Sequence, residues 1–290
     1  MDQVNESAAS THQTEVPQIT AEDLAALHRA KLLLENPGFA AKLADRIGAP
    51  LERGFARLPK NWTAAIQKAS HAALWRALSV AVRSMNKKPR DEHSDLTDKV
   101  MVGVTGWIGG AFGLAALAVE LPVSTTIMLR SIADIAHDEG HDVAEVSIRL
   151  SCLEVFALGG PAKSDDASES GYWIVRAALS KAISEAAAYV TERGILEKTA
   201  PAMVRLVATI ASRFGVVISE QAAAKAIPII GAVAGSTINV LFMDHFQNMA
   251  RGHFIVKRLE SKYGSHVVME AYKTLAVPVK NLPESTQRVK

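Results

Sequence analysis

The stretch VMVGVTGWIGGAFGLAALAV, residues 100–119, contains twenty residues without a charge and lies between Lys99 and Glu120. At 1.5 Å per residue, a helix of this length covers about 30 Å, the thickness of the hydrocarbon core of a bilayer. A glycine costs a helix about 0.8 to 1 kcal/mol relative to alanine, so close packing against another helix has to offset the glycines of this stretch. The stretch therefore predicts a helix buried in a bilayer or in a tightly packed helical core. Its glycines are Gly103, Gly106, Gly109, Gly110 and Gly113.

A second uncharged stretch, AIPIIGAVAGSTINVLFM, covers residues 226–243. Gly231 and Gly235 are four residues apart, the spacing of small residues that lets two helices approach closely. Pro228 suits the first turn of a helix, whereas Asn239 is a polar residue in the middle of the stretch. We predict one apolar helix here, packed against the first uncharged stretch.

The uncharged character of the first stretch resumes from Leu121 to Leu129, where Pro122 indicates the start of a new helix. Residues 100–129 therefore predict a helical hairpin that turns near Glu120. No sustained two-residue alternation and no tandem repeat occurs in the chain. The predicted fold is all-α, a multi-helix bundle with a Gly-rich apolar helical hairpin and a second apolar, Gly-containing helix.

The charge balance argues against one class of partner. The chain has 290 residues with 32 Lys and Arg against 30 Asp and Glu, a net charge of +2. A dedicated nucleic-acid binder carries a clear excess of cations, so no nucleic-acid partner is expected. The single cysteine, Cys152, cannot form an internal disulfide, and the polar start of the chain lacks the apolar core of a secretory signal. We expect a cytoplasmic start.

Polar composition marks the predicted limits of the folded part. Residues 1–19 predict a disordered tail, residues 20–276 a single helical domain, and residues 277–290 a flexible tail. A polar segment at residues 161–168 indicates a possible lobe boundary inside the domain.

Helix-capping residues mark several predicted boundaries. Thr20 predicts the N-cap of the first helix, and Asp142 with Glu145 has the spacing of a capping box. The pair Gly159 and Gly160 predicts the end of the helix that follows this box. Further helices are predicted over residues 62–85, 174–190, 201–213 and 216–225.

Three blocks of sequence resemble the EcsC protein family. They are ELPVSTTIMLRSIADIA at residues 120–136, RLSCLEVFALGG at residues 149–160, and AIPIIGAVAGSTINVLFMDHFQNMARGHFIVKRLESKYG at residues 226–264. The resemblance covers most of residues 60–265. It implies a bacterial helical protein, in a family named after a gene beside those of an ABC-type exporter involved in secretion and membrane processes. Some relatives are labelled peptidases.

His137 and His141 are four residues apart, a spacing that places two imidazoles on one face of a helix, where they can bind zinc. The zincin pattern needs a glutamate directly after the first histidine, and this chain has Asp138 there. A third ligand would have to come from Glu145 or His245. The favoured interpretation is an exposed, polar helix end, with the metal site as the alternative.

Four other residues are candidates for chemistry. Cys152 could act as a nucleophile if a neighbouring base lowered its pKa, but its apolar neighbours favour a buried structural thiol. Arg130 and Asp134 are spaced i, i+4, and Glu120 lies at the predicted turn of the hairpin. We interpret these three as an ion-pair clasp that holds the hairpin, with a polar cluster for a ligand, proton or partner as the alternative. No motif indicates a cofactor.

These features favour a non-enzymatic, membrane-associated accessory protein on the cytoplasmic side of the inner membrane, peripheral or integral. Its expected partner is membrane lipid or a membrane protein, and it could be an oligomer. The first alternative is a hydrolase or peptidase that uses a carboxylate and histidine cluster of Glu120, His137, His141 and His245. The second is a soluble helical scaffold in the cytoplasm.

Overall fold

The computed structural model describes residues 18–35, 39–48, 50–84, 114–160, 171–194, 197–227 and 235–276. The described residues form ten helices and no strand, so the predicted all-α fold is confirmed. The helices are α1 Ala21–Leu34, α2 Phe39–Ile47, α3 Glu52–Phe55, α4 Trp62–Ser84, α5 Leu114–Asp138, α6 Val146–Leu158, α7 Gly171–Arg193, α8 Pro201–Lys225, α9 Gly235–Tyr263 and α10 Ser265–Thr274.

Helix α9 forms the centre of the core, because it packs against α1, α2, α5, α6, α8 and α10. Three of its phenylalanines, Phe242, Phe246 and Phe254, are fully buried. The ring of Phe246 lies 5.7 Å from that of Phe214 on α8 and 5.4 Å from that of Phe156 on α6. Aromatic packing at these distances adds to the burial of apolar surface, so these rings hold three helices together.

The side-chain pairs between α5 and α9 show that these helices run parallel. Glu120 contacts Asn239, Ser131 contacts Gln247, and Glu139 contacts Arg258, at sequence separations of 119, 116 and 119 residues. When the sequence separation of contacting residues stays nearly constant along two helices, the two helices run in the same direction. Helices α5 and α9 therefore begin at the same end of the molecule.

Helices α8, α4 and α3 complete this end. Helix α8 is antiparallel to α9, since Gln221 contacts Asn239 and Phe214 contacts Phe246. Its last residues therefore lie beside the first turns of α5 and α9. Gly54 of α3 lies against Ala223 near the end of α8, and the ring of Phe55 on α3 lies 5.5 Å from that of Trp62 at the start of α4. We call this region, formed by the starts of α4, α5 and α9, the end of α8 and the whole of α3, the Glu120 end.

The predicted helix start at Pro122 is wrong. Pro122 lies inside α5, which runs without interruption from Leu114 to Asp138. An internal proline costs about 3 kcal/mol, but Leu121 and Thr125 are buried here and α5 packs along α4 and α9. This packing outweighs the preference of proline for the first turn of a helix. The residues Gly103, Gly106, Gly109, Gly110 and Gly113, the glycine-rich part of the predicted hairpin, lie outside the described residues.

The second apolar stretch is not one helix either. Helix α8 continues to Lys225, the chain turns at Ala226 and Ile227, and α9 begins at Gly235. The stretch therefore includes the connection between two antiparallel helices. Gly231 lies outside the described residues.

Several predicted boundaries are confirmed. Thr20 caps α1, because its side chain accepts a hydrogen bond of 3.2 Å from the backbone N–H of Asp23. Helix α4 covers residues 62–84, and Gly159 is the C-cap of α6. The predicted capping box is wrong: α6 begins at Val146, and Asp142 stabilises the preceding turn by accepting a hydrogen bond of 2.8 Å from the N–H of Ala144.

The two helices predicted over residues 201–225 form one helix, α8. Among the described residues, α8 is the one helix that is long and apolar enough to span a membrane. Half of its most apolar 18-residue segment is buried inside the protein, and the core helix of a soluble protein can be equally long and apolar, so this is weak evidence of a membrane span. Residues 1–17 of the predicted tail over residues 1–19, the predicted tail over residues 277–290 and the lobe boundary at residues 161–168 lie outside the described residues.

Candidate functional site

A cluster of four polar side chains joins α5, α8 and α9 at the Glu120 end. Oε1 of Glu120 accepts hydrogen bonds from Nζ of Lys225 at 3.1 Å and from Nδ2 of Asn239 at 3.2 Å. Oδ1 of Asn239 in turn accepts a hydrogen bond of 2.9 Å from Nε2 of Gln221. Each helix contributes at least one member, so the cluster fixes the three helix ends relative to one another.

The charges of this cluster are largely removed from water. The side chains of Glu120 and Lys225 are each 13% exposed, and Asn239 and Gln221 are buried. A carboxylate in such a position needs a cation and hydrogen-bond donors to replace the lost hydration. Lys225 and Asn239 supply them. Lys225 is the last residue of α8, where a cation also interacts favourably with the helix dipole.

Exposed cations lie next to this cluster on α3 and the loop that follows it. Arg53, Arg57 and Lys60 are all exposed, and the rings of Phe55 and Trp62, in the same segment of the chain, lie 5.5 Å apart. Gly54 packs directly against the backbone of Ala223 on α8 and leaves no room for a Cβ atom. The Glu120 end therefore combines a neutralised polar cluster with a basic and aromatic rim.

The predicted clasp of Glu120 with Arg130 and Asp134 is not formed, because the partners of Glu120 are Lys225 and Asn239. Arg130 is exposed and lies ten residues further along α5, about 15 Å away along the helix axis. Asp134 is half-buried, one turn beyond Arg130. The prediction failed because it placed a turn at Glu120 where the helix continues.

The histidine pair is not on one helix face. Helix α5 ends at Asp138, and Gly140 adopts φ 84°, so the chain leaves the helix before His141. His137 is an exposed helix end with a side chain 54% exposed, in agreement with the favoured interpretation. The Nε2 atom of His141 instead lies 3.0 Å from the carbonyl oxygen of Phe254.

Neither proposed third ligand, Glu145 or His245, forms a metal-binding group with the two histidines among the described residues. Glu145 precedes α6, whereas Nε2 of His245 donates a hydrogen bond of 2.8 Å to the carbonyl of Gly159, which follows α6. A helix of 13 residues separates these positions by about 20 Å. No group of three or more His, Cys, Asp or Glu side chains in the described ranges could hold a metal ion. The carboxylate and histidine cluster of the hydrolase alternative is therefore not assembled by these residues.

Cys152 is a buried thiol in the middle of α6, and burial raises its pKa. A raised pKa keeps the sulfur protonated and unreactive, as its apolar neighbours indicated. His245 is buried as well, and burial lowers its pKa to about 4, so its ring is neutral at physiological pH.

A second polar cluster, between α6, α7 and α9, was missed by the sequence analysis. The hydroxyl of Tyr172 lies 3.1 Å from Nδ1 of His253, and Nε2 of the same ring lies 3.5 Å from Oε2 of Glu154. Beside them, Arg176 forms a bidentate ion pair with Glu260 at 2.8 and 2.9 Å. The one signal in the sequence is Glu154 itself, a charged residue inside the apolar run CLEVFAL.

Burial dominates the electrostatics of this cluster. It raises the pKa of Glu154 to about 7 and lowers the pKa of His253 well below its usual value. The side chain of His253 is fully buried and that of Glu154 is 5% exposed. A substrate has no access to groups buried to this degree, so the cluster connects helices in the core.

Comparison with known proteins gives a family and no closer relative. The family model for the EcsC protein family matches residues 36–259, which extends the resemblance in the sequence to α2 and α3. No curated protein and no solved structure matches the chain. Since the family model covers most of the chain, from just before α2 to near the end of the central helix α9, the protein belongs to the EcsC protein family.

Proposed function

We propose that the protein is a membrane-associated accessory protein of bacteria, and that its Glu120 end faces the bilayer. The observation that carries this proposal is the parallel arrangement of α5 and α9, which brings the starts of both helices together. Each of these helices begins within an uncharged stretch of the sequence. Helix α5 begins within residues 100–119, and α9 begins within residues 226–243. The two most apolar stretches of the chain thus connect to one end of the described fold.

The polar cluster at this end supports the proposal. A carboxylate next to a membrane is costly unless it is paired, and Glu120 is paired with Lys225 and held by Asn239. The partly exposed Trp62 belongs to the residue type enriched at membrane interfaces. We infer that this end can approach lipid without carrying an unpaired acidic charge.

The proposed role is non-enzymatic and assists a membrane process, either ABC-type export or another envelope process, on the cytoplasmic side of the inner membrane. The partner would be lipid or a membrane protein. The histidines and the cysteine that could support hydrolytic chemistry lie apart from one another or are buried, so no observation favours a hydrolase over this role.

Cell fractionation tests the proposal. Membranes from cells that produce the protein are washed first with high salt and then with alkaline carbonate, and each fraction is probed for the full chain. We expect the protein in the membrane fraction before washing. Retention through carbonate indicates insertion of the apolar stretches, and release by salt indicates peripheral attachment. Recovery of the whole protein in the soluble fraction would contradict the proposal.

A further inference from the structure

We propose that the exposed cations Arg53, Arg57 and Lys60 form a docking surface for the headgroups of anionic phospholipids. This inference rests on the proposed membrane association and assigns a lipid class to it. It follows from the rigid attachment of α3, from the charge that α3 presents, and from the position of this charge beside the two apolar stretches.

Helix α3 is fixed to the fold on its inner side. Leu51 is buried, and Gly54 lies against the backbone of Ala223 with no space for a side chain. The hydrogen bonds from the N–H of Arg57 to the carbonyl of Gly54 and from the N–H of Leu58 to that of Phe55, both close to 3 Å, continue the turn beyond the helix. The inner face is therefore occupied, and the exposed side chains are directed outward.

The outward side is basic. Between Phe39 and Asn61 the sequence has five Lys and Arg against two Asp and Glu, although the whole chain is almost neutral. Among the described residues, Arg53, Arg57 and Lys60 have no carboxylate partner in an ion pair. Because no carboxylate pairs with these three cations, they can bind phosphate oxygens, for which guanidinium groups have suitable geometry.

The location of these cations favours a lipid over a soluble anion or a nucleic acid. The rings of Phe55 on α3 and Trp62 at the start of α4 lie 5.5 Å apart in a tilted arrangement, and the apolar stretches lead into the fold at the same end through α5 and α9. Cations, an interfacial aromatic pair and apolar segments at one end are the combination that binds the headgroup region of a bilayer. Juxtamembrane cations are attracted to anionic lipid in the cytoplasmic leaflet.

Vesicle flotation of the full-length protein tests this surface. The wild type is mixed with vesicles of phosphatidylcholine alone and with vesicles that also contain phosphatidylglycerol, at low and at high salt. The test variant carries Arg53→Gln, Arg57→Gln and Lys60→Gln. A matched control variant, Lys181→Gln, Arg193→Gln and Lys198→Gln, removes the same charge from exposed residues of α7 and the loop before α8.

We expect the wild type to prefer the anionic vesicles. The test variant should bind them about a hundredfold more weakly, because the loss of each cation lowers the affinity about fivefold. The control variant should bind within about threefold of the wild type. A variant with Arg53→Lys and Arg57→Lys keeps the charges and should retain binding, which separates loss of charge from loss of structure.

Two results would overturn the inference while leaving membrane association intact. One is wild-type binding that does not depend on phosphatidylglycerol, and the other is an equal loss of binding in the test and control variants. Preferential binding of the three cations to nucleic acid or to an acidic protein would also overturn it. A wild type that floats with neither vesicle would contradict the membrane association itself.

Discussion

Glu120 of α5 accepts a hydrogen bond of 3.2 Å from Asn239 of α9, a residue 119 positions later in the chain. The same separation recurs at the other end of the two helices, between Glu139 and Arg258. The polar contacts therefore set the register of two parallel helices. They also bring together the two points at which uncharged sequence joins the described fold, and the proposed function depends on this arrangement.

The first prediction concerns the ion pair of Glu120 with Lys225. Replacing either partner, by Glu120→Gln or Lys225→Met, should lower the free energy of unfolding by about 1 to 3 kcal/mol, because the remaining group stays largely buried. The double variant should lose less than the sum of the single losses, with a coupling of at least about 0.5 kcal/mol. Urea unfolding of the four proteins measures the coupling.

The exposed pair of Lys273 with Glu270, at 3.0 Å, serves as the control for this cycle. Its coupling should be below about 0.5 kcal/mol, since water screens exposed charges. Equal coupling in both pairs would show that the Glu120 cluster does not hold the helix ends.

A second prediction compares two glycines inside helices. A Cβ atom at Gly252 of α9 would lie 2.6 Å from Cγ of Leu34 and 3.0 Å from the carbonyl of Ala30 on α1. Gly252→Ala should therefore destabilise the protein by about 1 to 3 kcal/mol. The nearest atom to a Cβ at Gly215 of α8 is 3.8 Å away, so Gly215→Ala should be neutral or stabilise by up to about 1 kcal/mol. Thermal unfolding compares both variants with the wild type, and a stable Gly252→Ala protein would contradict this packing.

The third prediction is a pH dependence that comes from Glu154. Burial raises its pKa from 4.5 to about 7, so in this interval the folded protein holds a proton that the unfolded chain has released. This group's contribution to stability is present below pH 4.5 and is lost as the pH rises through about 7. In Glu154→Gln the contribution should vanish.

His253 changes the stability in the opposite direction below pH 6.5, because its ring stays neutral in the folded protein while the unfolded chain takes up a proton. The effect of Glu154 is therefore measured as a difference between two proteins that both contain His253. The stability of the wild type minus that of Glu154→Gln should fall between pH 4.5 and 7, with a slope of up to about 1.4 kcal/mol per pH unit. Unfolding by urea at a series of pH values gives this difference. A difference that stays constant with pH would show that Glu154 is ionised throughout.

A fourth prediction concerns His245. Its pKa is lowered from 6.5 to about 4, so the unfolded chain takes up a proton in this interval and the folded protein does not. The wild type should therefore lose stability as the pH falls from 6.5 to 4. His245→Gln can still donate to the carbonyl of Gly159 but does not titrate, and its stability should change less over the same range. An identical loss in both proteins would assign the effect to other groups.

The sequence predicted those features that depend on local chemistry. Thr20 and Gly159 mark helix ends because capping depends on neighbouring residues, and the polar and apolar pattern was enough to define α4 and α7. The continuation of α5 through Pro122 was not predictable locally, because its cause is packing against α4 and α9.

The candidate site was only partly predictable. Glu120 and Asn239 stood out as polar residues beside apolar sequence, but their contact depends on the register of two helices 119 residues apart. The assignment of His137 and His141 to one face failed because Gly140 ends the helical conformation between them. The buried pair of His253 with Glu154 joins two antiparallel helices and has no spacing signature in the chain.

The orientation of the protein on the bilayer is the most direct test of the account. The chain has one cysteine, Cys152, so a Cys152→Ala background allows one fluorescent label at a time, at the exposed Ala56→Cys on the Glu120 end or at the exposed Lys198→Cys before α8. Vesicles carry lipids with a nitroxide quencher in the headgroup region, and the quenching of each label is measured after flotation. We expect strong quenching at position 56 and weak quenching at position 198. Equal quenching at both positions, or stronger quenching at position 198, would contradict the claim that the Glu120 end faces the membrane.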